Sequence, residues 1–489
     1  MSEDCLYLNI YVPINTKKMA SNMAVMVWIH GGAFTSGSGS ASVYGGEEFA
    51  KKGNVIYVTI NYRLGAFGFL KIGKGKHSAI GNYGFEDQRL ALKWVKENIA
   101  AFGGDPKKWC SLLDDFYGEL FLQLDRKCAE RLMVLQIRKY WAQNDTTTVT
   151  VFGQSAGACS ILLHLVSGKS AHLFDQAIIQ SPPIAIQAKD KKAVEKQGKS
   201  FTKHLGCNHG DMSCLRNKGP EEVVVAQEKS GTGSDNFFDL FTVWGPYVDG
   251  EDITHKAIRA AQNGILSPKP LIIGTNYHEG VTYVYETVTT TLPDFLFDYA
   301  IRVWRHCLGV PDKIKEPYKK MLCKHHDSEI IYKRFKPASN KDARPEFTDL
   351  VTEFVFTCPV RNISRNYETS NNVWMYVFNQ TFPIPKLFEF SKCITHACHS
   401  VELPFLFQSL SKLGIPSFPS DGDIQLGNDM LTYWTNFAKY GNPNGKGKTK
   451  WPQYRQETDT YLHFQSTGSE VITKYRNNIC NFFDKIGYD

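Results

Sequence analysis

The sequence predicts an α/β protein built on a mostly parallel sheet covered by helices. Short apolar runs rich in β-branched residues alternate with helical patterns along the chain. Several of those runs pass through a glycine-bounded turn directly into a helix. No internal repeat, low-complexity tract or Pro/Gly/Ser-rich linker divides the sequence, so the expected organisation is one domain over 1–489.

The elements follow in order. MSEDCLYLNIYVP leads straight into an alternating strand-like segment and is neither a signal peptide nor a targeting helix. Met1 stands so close to that strand that the sheet is expected to lack its opening strands, as in an N-terminally truncated chain. MAVMVWIH is a buried strand ending in His30-Gly31-Gly32, and NVIYVTINYR is another, followed by the loop around Gly65 and Gly68. FEDQRLALKWVKENIAAFGG has an acidic first turn and terminal glycines, the marks of a helix. TTTVTVFGQSAG and ACSILLHLVSG read as a strand and the helix directly after it. QAIIQSPP, PLIIGTNYHEG and NVWMYVFNQ continue the strands. The stretch from about Trp109 to Asp145 fits poorly. It holds a mixed amphipathic segment and reads equally as a surface helix or as translated intron.

Composition excludes other classes. Apolar residues make up 42% and charged residues 21%, enough for a large core and against disorder. The formal charge of +7 is small for 489 residues and the basic residues are spread along the chain, so no nucleic-acid partner is expected. No run approaches the length of a transmembrane segment. Twelve cysteines allow a few disulfides, and Cys207 and Cys214 have spacing that suits a local bridge. Sequons at Asn144, Asn362 and Asn379 fit an exported chain.

Gly153-Gln154-Ser155-Ala156-Gly157 carries the chemistry. A G-x-S-x-G pattern alone is weak, expected about 0.2 times by chance from composition. Here a β-branched strand runs in and an apolar helix runs out, the setting of a nucleophile elbow in an α/β-hydrolase. A serine hydroxyl needs a base to take its proton, and the oxyanion it creates needs pre-placed N–H donors. Val27-Trp28-Ile29-His30-Gly31-Gly32-Ala33-Phe34 supplies a donor loop. With the amide of Ala156, those of Gly32 and Ala33 make a three-donor hole. In this fold the acid follows the serine and the histidine follows the acid. Glu279 ends an apolar strand in a Gly-bounded loop. Asp249, its competitor, sits in an Asp-Gly that looks like an ordinary turn. His399 and His396 lie three residues apart, and their chemistry alone separates them poorly.

Together these residues resemble the type-B carboxylesterase/cholinesterase family. Glu3-Asp4-Cys5-Leu6-Tyr7-Leu8-Asn9 is similar to one of its signatures and FGQSAGACSILLHL to the one around its active serine. NYRLGAFGFL, FGGDP, HEG, ELPFLF and FAKYGNPN…WPQY fall in the family's order, covering nearly everything except about 109–145. The resemblance implies Ser155 as nucleophile, Glu279 as acid and His399 as base. The family's histidine stands before Gly-x-Glu, a spacing that His399-Ser400-Val401-Glu402 matches and His396 does not. Ser400 and Ala33 each replace a usual glycine. The resemblance also implies secretion, the Cys207–Cys214 disulfide, and for Cys5 a partner upstream of this sequence. Cys393 and Cys398 flank the histidine loop closely enough for an extra bridge.

The expectation is therefore a secreted serine carboxylesterase that turns over a small-molecule or lipid ester through an acyl-enzyme and needs no metal or cofactor. Its rivals are a cholinesterase-like adhesion or interaction protein without catalysis, and a nonfunctional fragment. Substrate and oligomeric state are left open.

Overall fold

A computed structural model describes residues 3–14, 23–73, 78–104, 149–186, 188–231, 242–304, 325–337, 342–381, 391–413, 418–445 and 448–488. The sequence segment 109–145 and the sequon at Asn144 lie outside them.

Eleven short strands are described. They are β1 (Leu8–Tyr11), β2 (Val25–Ile29), β3 (Ile56–Ile60), β4 (Lys71–Ile72), β5 (Ala79–Ile80), β6 (Val149–Gln154), β7 (Gln176–Gln180), β8 (Leu271–Asn276), β9 (Val373–Phe378), β10 (Thr460–Phe464) and β11 (Glu470–Thr473). Nine form one sheet in the order β1-β3-β2-β6-β7-β8-β9-β10-β11, and β4 pairs separately with β5. From β3 to β10 every pairing is parallel, while β1 and β11 close the two edges antiparallel.

The buried strands are apolar because both faces of the sheet are covered. Alternation along β2 makes this visible. Val25, Val27 and Ile29 join one apolar cluster, whereas Met26 and Trp28 join the other. The first cluster packs beneath α1 (Tyr83–Asn98) through Leu92 and Val95, and beneath α2 (Ala156–Val166), every residue of which is buried. Two later helices matter for the site and its support: α3 (Gly280–Thr287) and α4 (Cys358–Tyr367). On the opposite face lies α5 (Asp421–Tyr440), bringing Met430, Trp434 and Phe437 onto the second cluster. Its ends are fixed locally: Ser420 and Asp423 form a capping box, and Gly441 closes the helix in the left-handed region at φ 63°. The last helix is α6 (Asn477–Ile486).

Disulfides join Cys207 to Cys214, Cys358 to Cys480 and Cys393 to Cys398. The first matches the sequence expectation, and the third closes the loop that carries His399. Of the described sequon residues, Asn362 is the one more enclosed by the fold. That side chain is buried on α4, where its amide nitrogen donates to Asp484 at 2.8 Å. Asn379, just past β9, is half-buried.

Candidate active site

Parallel strands deliver their C-terminal ends to one edge of the sheet, and that edge collects the reactive side chains. β6 runs into Ser155, which stands at the N-terminus of α2 with φ 56° and ψ −121°. A non-glycine residue pays for that backbone, and its neighbours hold it there. The Ser155 amide donates to the Gln180 carbonyl at 2.9 Å, while the Ser155 carbonyl accepts from Cys159 in the first turn of the helix. Gly157 lets α2 start so close to β2: a Cβ there would stand 2.0 Å from the Ile29 carbonyl oxygen.

The donor loop follows β2. Gly32, Ala33 and Phe34 all have positive φ (114°, 51° and 61°), so the backbone curls where a chain normally stays extended. Ala33, Phe34, Ser155 and Ala156 line one small cavity together with Cys159, Pro183, Thr242 and Tyr283. Two of the three expected amide donors, Ala33 and Ala156, thus border the same space as the serine. His30 anchors the loop from below. Its ring stacks on Tyr62 and its Nδ1–H donates to the Gly31 carbonyl at 2.7 Å, while burial pushes its pKa down to about 4 and keeps it neutral.

Glu279 and His399 meet as the sequence order predicts. Glu279, fully buried beyond β8, accepts from the Asn276 amide at 2.6 Å through one oxygen and faces His399 Nδ1 at 2.5 Å through the other. A carboxylate on Nδ1 sets the tautomer, so Nε2 carries the lone pair. The rivals separate cleanly. Half-buried His396 bonds the Lys392 carbonyl and Thr395. Asp249 accepts from the amides of Glu251, Asp252 and Ile253 and so serves a turn.

Around the imidazole lie residues that the sequence did not single out. His399 Nε2 accepts from the Gln154 amide nitrogen at 3.0 Å and faces the Tyr283 hydroxyl at 3.2 Å. Tyr283 also lines the cavity beside Ser155. Behind them Asn276 Nδ2 donates to the Cys398 carbonyl at 2.7 Å and to Glu402 at 2.6 Å, and Gln180 also donates to Glu402. Burial beside Glu279 raises the Glu402 pKa to about 7, which keeps a second negative charge away from the pair near neutrality. A signal for Tyr283 was available: it follows Glu279 by four residues, one helical turn.

A strained serine at a strand–helix elbow, with acid and histidine loops gathered on the same sheet edge, defines the class: this is an α/β-hydrolase. The chain belongs to the carboxylesterase family, whose model matches residues 1–109 and 144–483. Among its relatives, the crystal protein of Dictyostelium discoideum is 32% identical over 100% of this chain and 78% of its own length. The para-nitrobenzyl esterase of Bacillus subtilis (strain 168) is 32% identical over 95% of this chain and 80% of its own. Mouse cholinesterase is 29% identical over 99% and 72%. Among solved structures, a thermophilic PNB esterase superposes with a TM-score of 0.75 at 29% identity, covering 98% of this chain and 84% of that one.

Proposed function

We propose that this protein is a serine carboxylesterase that hydrolyses small carboxylic esters through an acyl-enzyme, with Ser155 as nucleophile, His399 as base and Glu279 as the acid that orients it. The observation that carries this reading is the buried 2.5 Å contact between Glu279 and His399 Nδ1, beside a serine held in a strained elbow.

In the first half-reaction the ester carbonyl is attacked by Ser155 while His399 takes up the serine's proton. The negative charge on the tetrahedral oxygen falls to the amides of Gly32, Ala33 and Ala156. Glu279 stabilises the imidazolium, which then protonates the departing alcohol. Water repeats the cycle and frees the acid. The cavity beside Ser155 is narrow, walled by Phe34, Pro183, Thr242 and Tyr283, so short acyl groups fit this reading best. Three disulfides among the described residues fit an oxidising compartment, which supports secretion, and Asn379 is the glycan site we retain of the two described.

One observation favours a second reading, a family member that binds without catalysis. His399 Nε2 is occupied by Gln154 and Tyr283, with no direct Ser155 contact recorded among the described residues. Fluorophosphonate labelling separates the two. We expect the reagent on Ser155 of the wild type, none on Ser155→Ala, and a loss of ester turnover of about 10⁴-fold or more in Ser155→Ala and His399→Ala. A cooperatively melting wild type that takes no label would favour the binding reading.

A further inference from the structure

We propose that His278 is a positioning residue for the His399–Glu279 pair: its imidazole clasps the backbone of Ala397, two residues ahead of His399, onto the turn that carries Glu279. The inference rests on the roles given above to Ser155, Glu279 and His399 and names what keeps two of them in register.

Glu279 and His399 stand 120 residues apart in the chain, and their 2.5 Å contact lasts only while their two loops hold each other. On the acid's side is a three-residue turn, Tyr277 to Glu279, between β8 and α3. His278 meets Ala397 twice. Its backbone amide donates to the Ala397 carbonyl at 3.0 Å, and its ring Nδ1 accepts from the Ala397 amide at 3.2 Å. Asn276, the last residue of β8, adds a third tie by donating from Nδ2 to the Cys398 carbonyl at 2.7 Å. The next residue is His399 itself. From the other side the Cys393–Cys398 bridge closes the same loop.

The direction of the ring bond is fixed, because a backbone N–H can only donate. Nδ1 is therefore the acceptor, and the neutral ring carries its proton on Nε2. Burial, with His396 and Arg476 as cationic neighbours, pushes the His278 pKa down to about 4 and keeps that acceptor in place across the neutral range. The ring has little room to turn: its centroid lies 4.7 Å from that of Tyr277 and 4.8 Å from that of His396.

Two features tie this bond to the site as well as to the fold. Ala397 and Cys398 are fully buried, so an Ala397 amide deprived of Nδ1 loses its acceptor and is drawn toward water. Ser400, directly after His399, sits at φ 72°, a left-handed backbone that a non-glycine residue keeps only where its neighbours hold it. With one restraint gone, the segment from Ala397 to Ser400 shifts and carries His399 with it. An imidazole displaced by about 1 Å no longer serves Glu279 and Ser155 together.

The test compares three variants on para-nitrophenyl acetate. His278→Asn keeps an acceptor, Oδ1, close to where Nδ1 stood, whereas His278→Gln and His278→Leu offer the Ala397 amide none at that place. Both half-reactions draw on His399, so His278→Gln and His278→Leu should lower kcat by about 10- to 100-fold with little change in KM. Fluorophosphonate labelling should slow in parallel, and His278→Asn should keep most of the wild-type rate. Proton NMR, taken well below each melting temperature, supplies the readout that a purely structural role would not move. The downfield resonance of the His399 Nδ1–H bonded to Glu279 should persist in wild type and His278→Asn and broaden or vanish in His278→Gln. Folded His278→Gln and His278→Leu that match His278→Asn in rate would overturn the inference, and so would a rate loss with the resonance unchanged. If His278→Leu does not melt cooperatively, the Asn–Gln comparison decides. A wild type that takes no label on Ser155 overturns the serine reading, and the resonance then judges the clasp by itself. A labelled wild type with equally fast variants overturns the clasp alone.

Discussion

Gly157 shows how little slack Ser155 has. Ser155 is held by its amide bond to Gln180 on one side and by the start of α2 on the other. A methyl group at 157 would press on the Ile29 carbonyl, which belongs to the strand that feeds the donor loop. Backbone cannot rotate away as a side chain does, so β2 and α2 have to separate. We expect Gly157→Ala to cost at least the roughly 1–3 kcal/mol of core overpacking and to lower kcat far more than KM, checked by thermal melting beside steady-state kinetics. A variant of wild-type stability and activity would show that the approach is looser than the backbone indicates. Ser155, Glu279 and His399 were legible as residues because a motif and the chain order of a fold point at them. Gln154 and Tyr283 were not. The motif leaves its second position open, and although the four-residue spacing puts Tyr283 on the same helix face as Glu279, that this face meets the imidazole depends on packing against Phe356 from a distant part of the chain.

At the scale of elements, the sheet's buried strands were readable for one physical reason: they are covered on both faces, so β2 and β9 are apolar throughout and β3, β6, β7 and β8 are apolar runs broken by a few buried polar residues. The edge pair β10 and β11 carries a weaker pattern, since β11 is largely exposed and its sequence EVIT has little to bury. The pairing of Cys358 with Cys480 was not readable because 122 residues separate them, and α4 packing on α6 brings them together. That separation makes the bridge consequential. In the chain-entropy account a loop of this length stabilises by roughly 5 kcal/mol, against roughly 2 for the seven-residue loop of Cys207–Cys214. The paired substitution of Cys358 and Cys480 by Ala should therefore lower the melting temperature clearly more than the same change at Cys207 and Cys214. Calorimetry on both variants checks the order, and a reversed order would mean that the α4–α6 contact holds without its bridge. Arg361 gives that contact a second tie, buried and bonded to Asp459, Asp484 and Asn481.

For the whole molecule, stability has a pH dependence whose sign follows from buried groups. His30 and His278 are pushed down to about 4 by burial, and His164 well below its usual value for the same reason. Unfolding returns each to an ordinary histidine near 6.5. Between those values the unfolded chain binds protons that the folded chain refuses, so stability present above about pH 6.5 is lost as the pH falls toward 4. Glu402 acts in the opposite sense. Its folded pKa of about 7 means that the native state keeps a proton which the unfolded state has released, and stability rises as the pH falls through that window. Asp349 and Glu353, raised by burial, act as Glu402 does but start from the lower range of ordinary carboxylates. Above pH 5 the three histidines outweigh the carboxyls, because each of them departs from a reference value inside the window. The melting temperature should therefore be lower at pH 5 than at pH 7.5, with net proton uptake on unfolding at pH 5.5 when calorimetry is run in buffers of different ionisation enthalpy. A higher melting temperature at pH 5, or proton release, would mean that the histidines are charged in the fold, and His30 could then not hold the donor loop as a neutral ring.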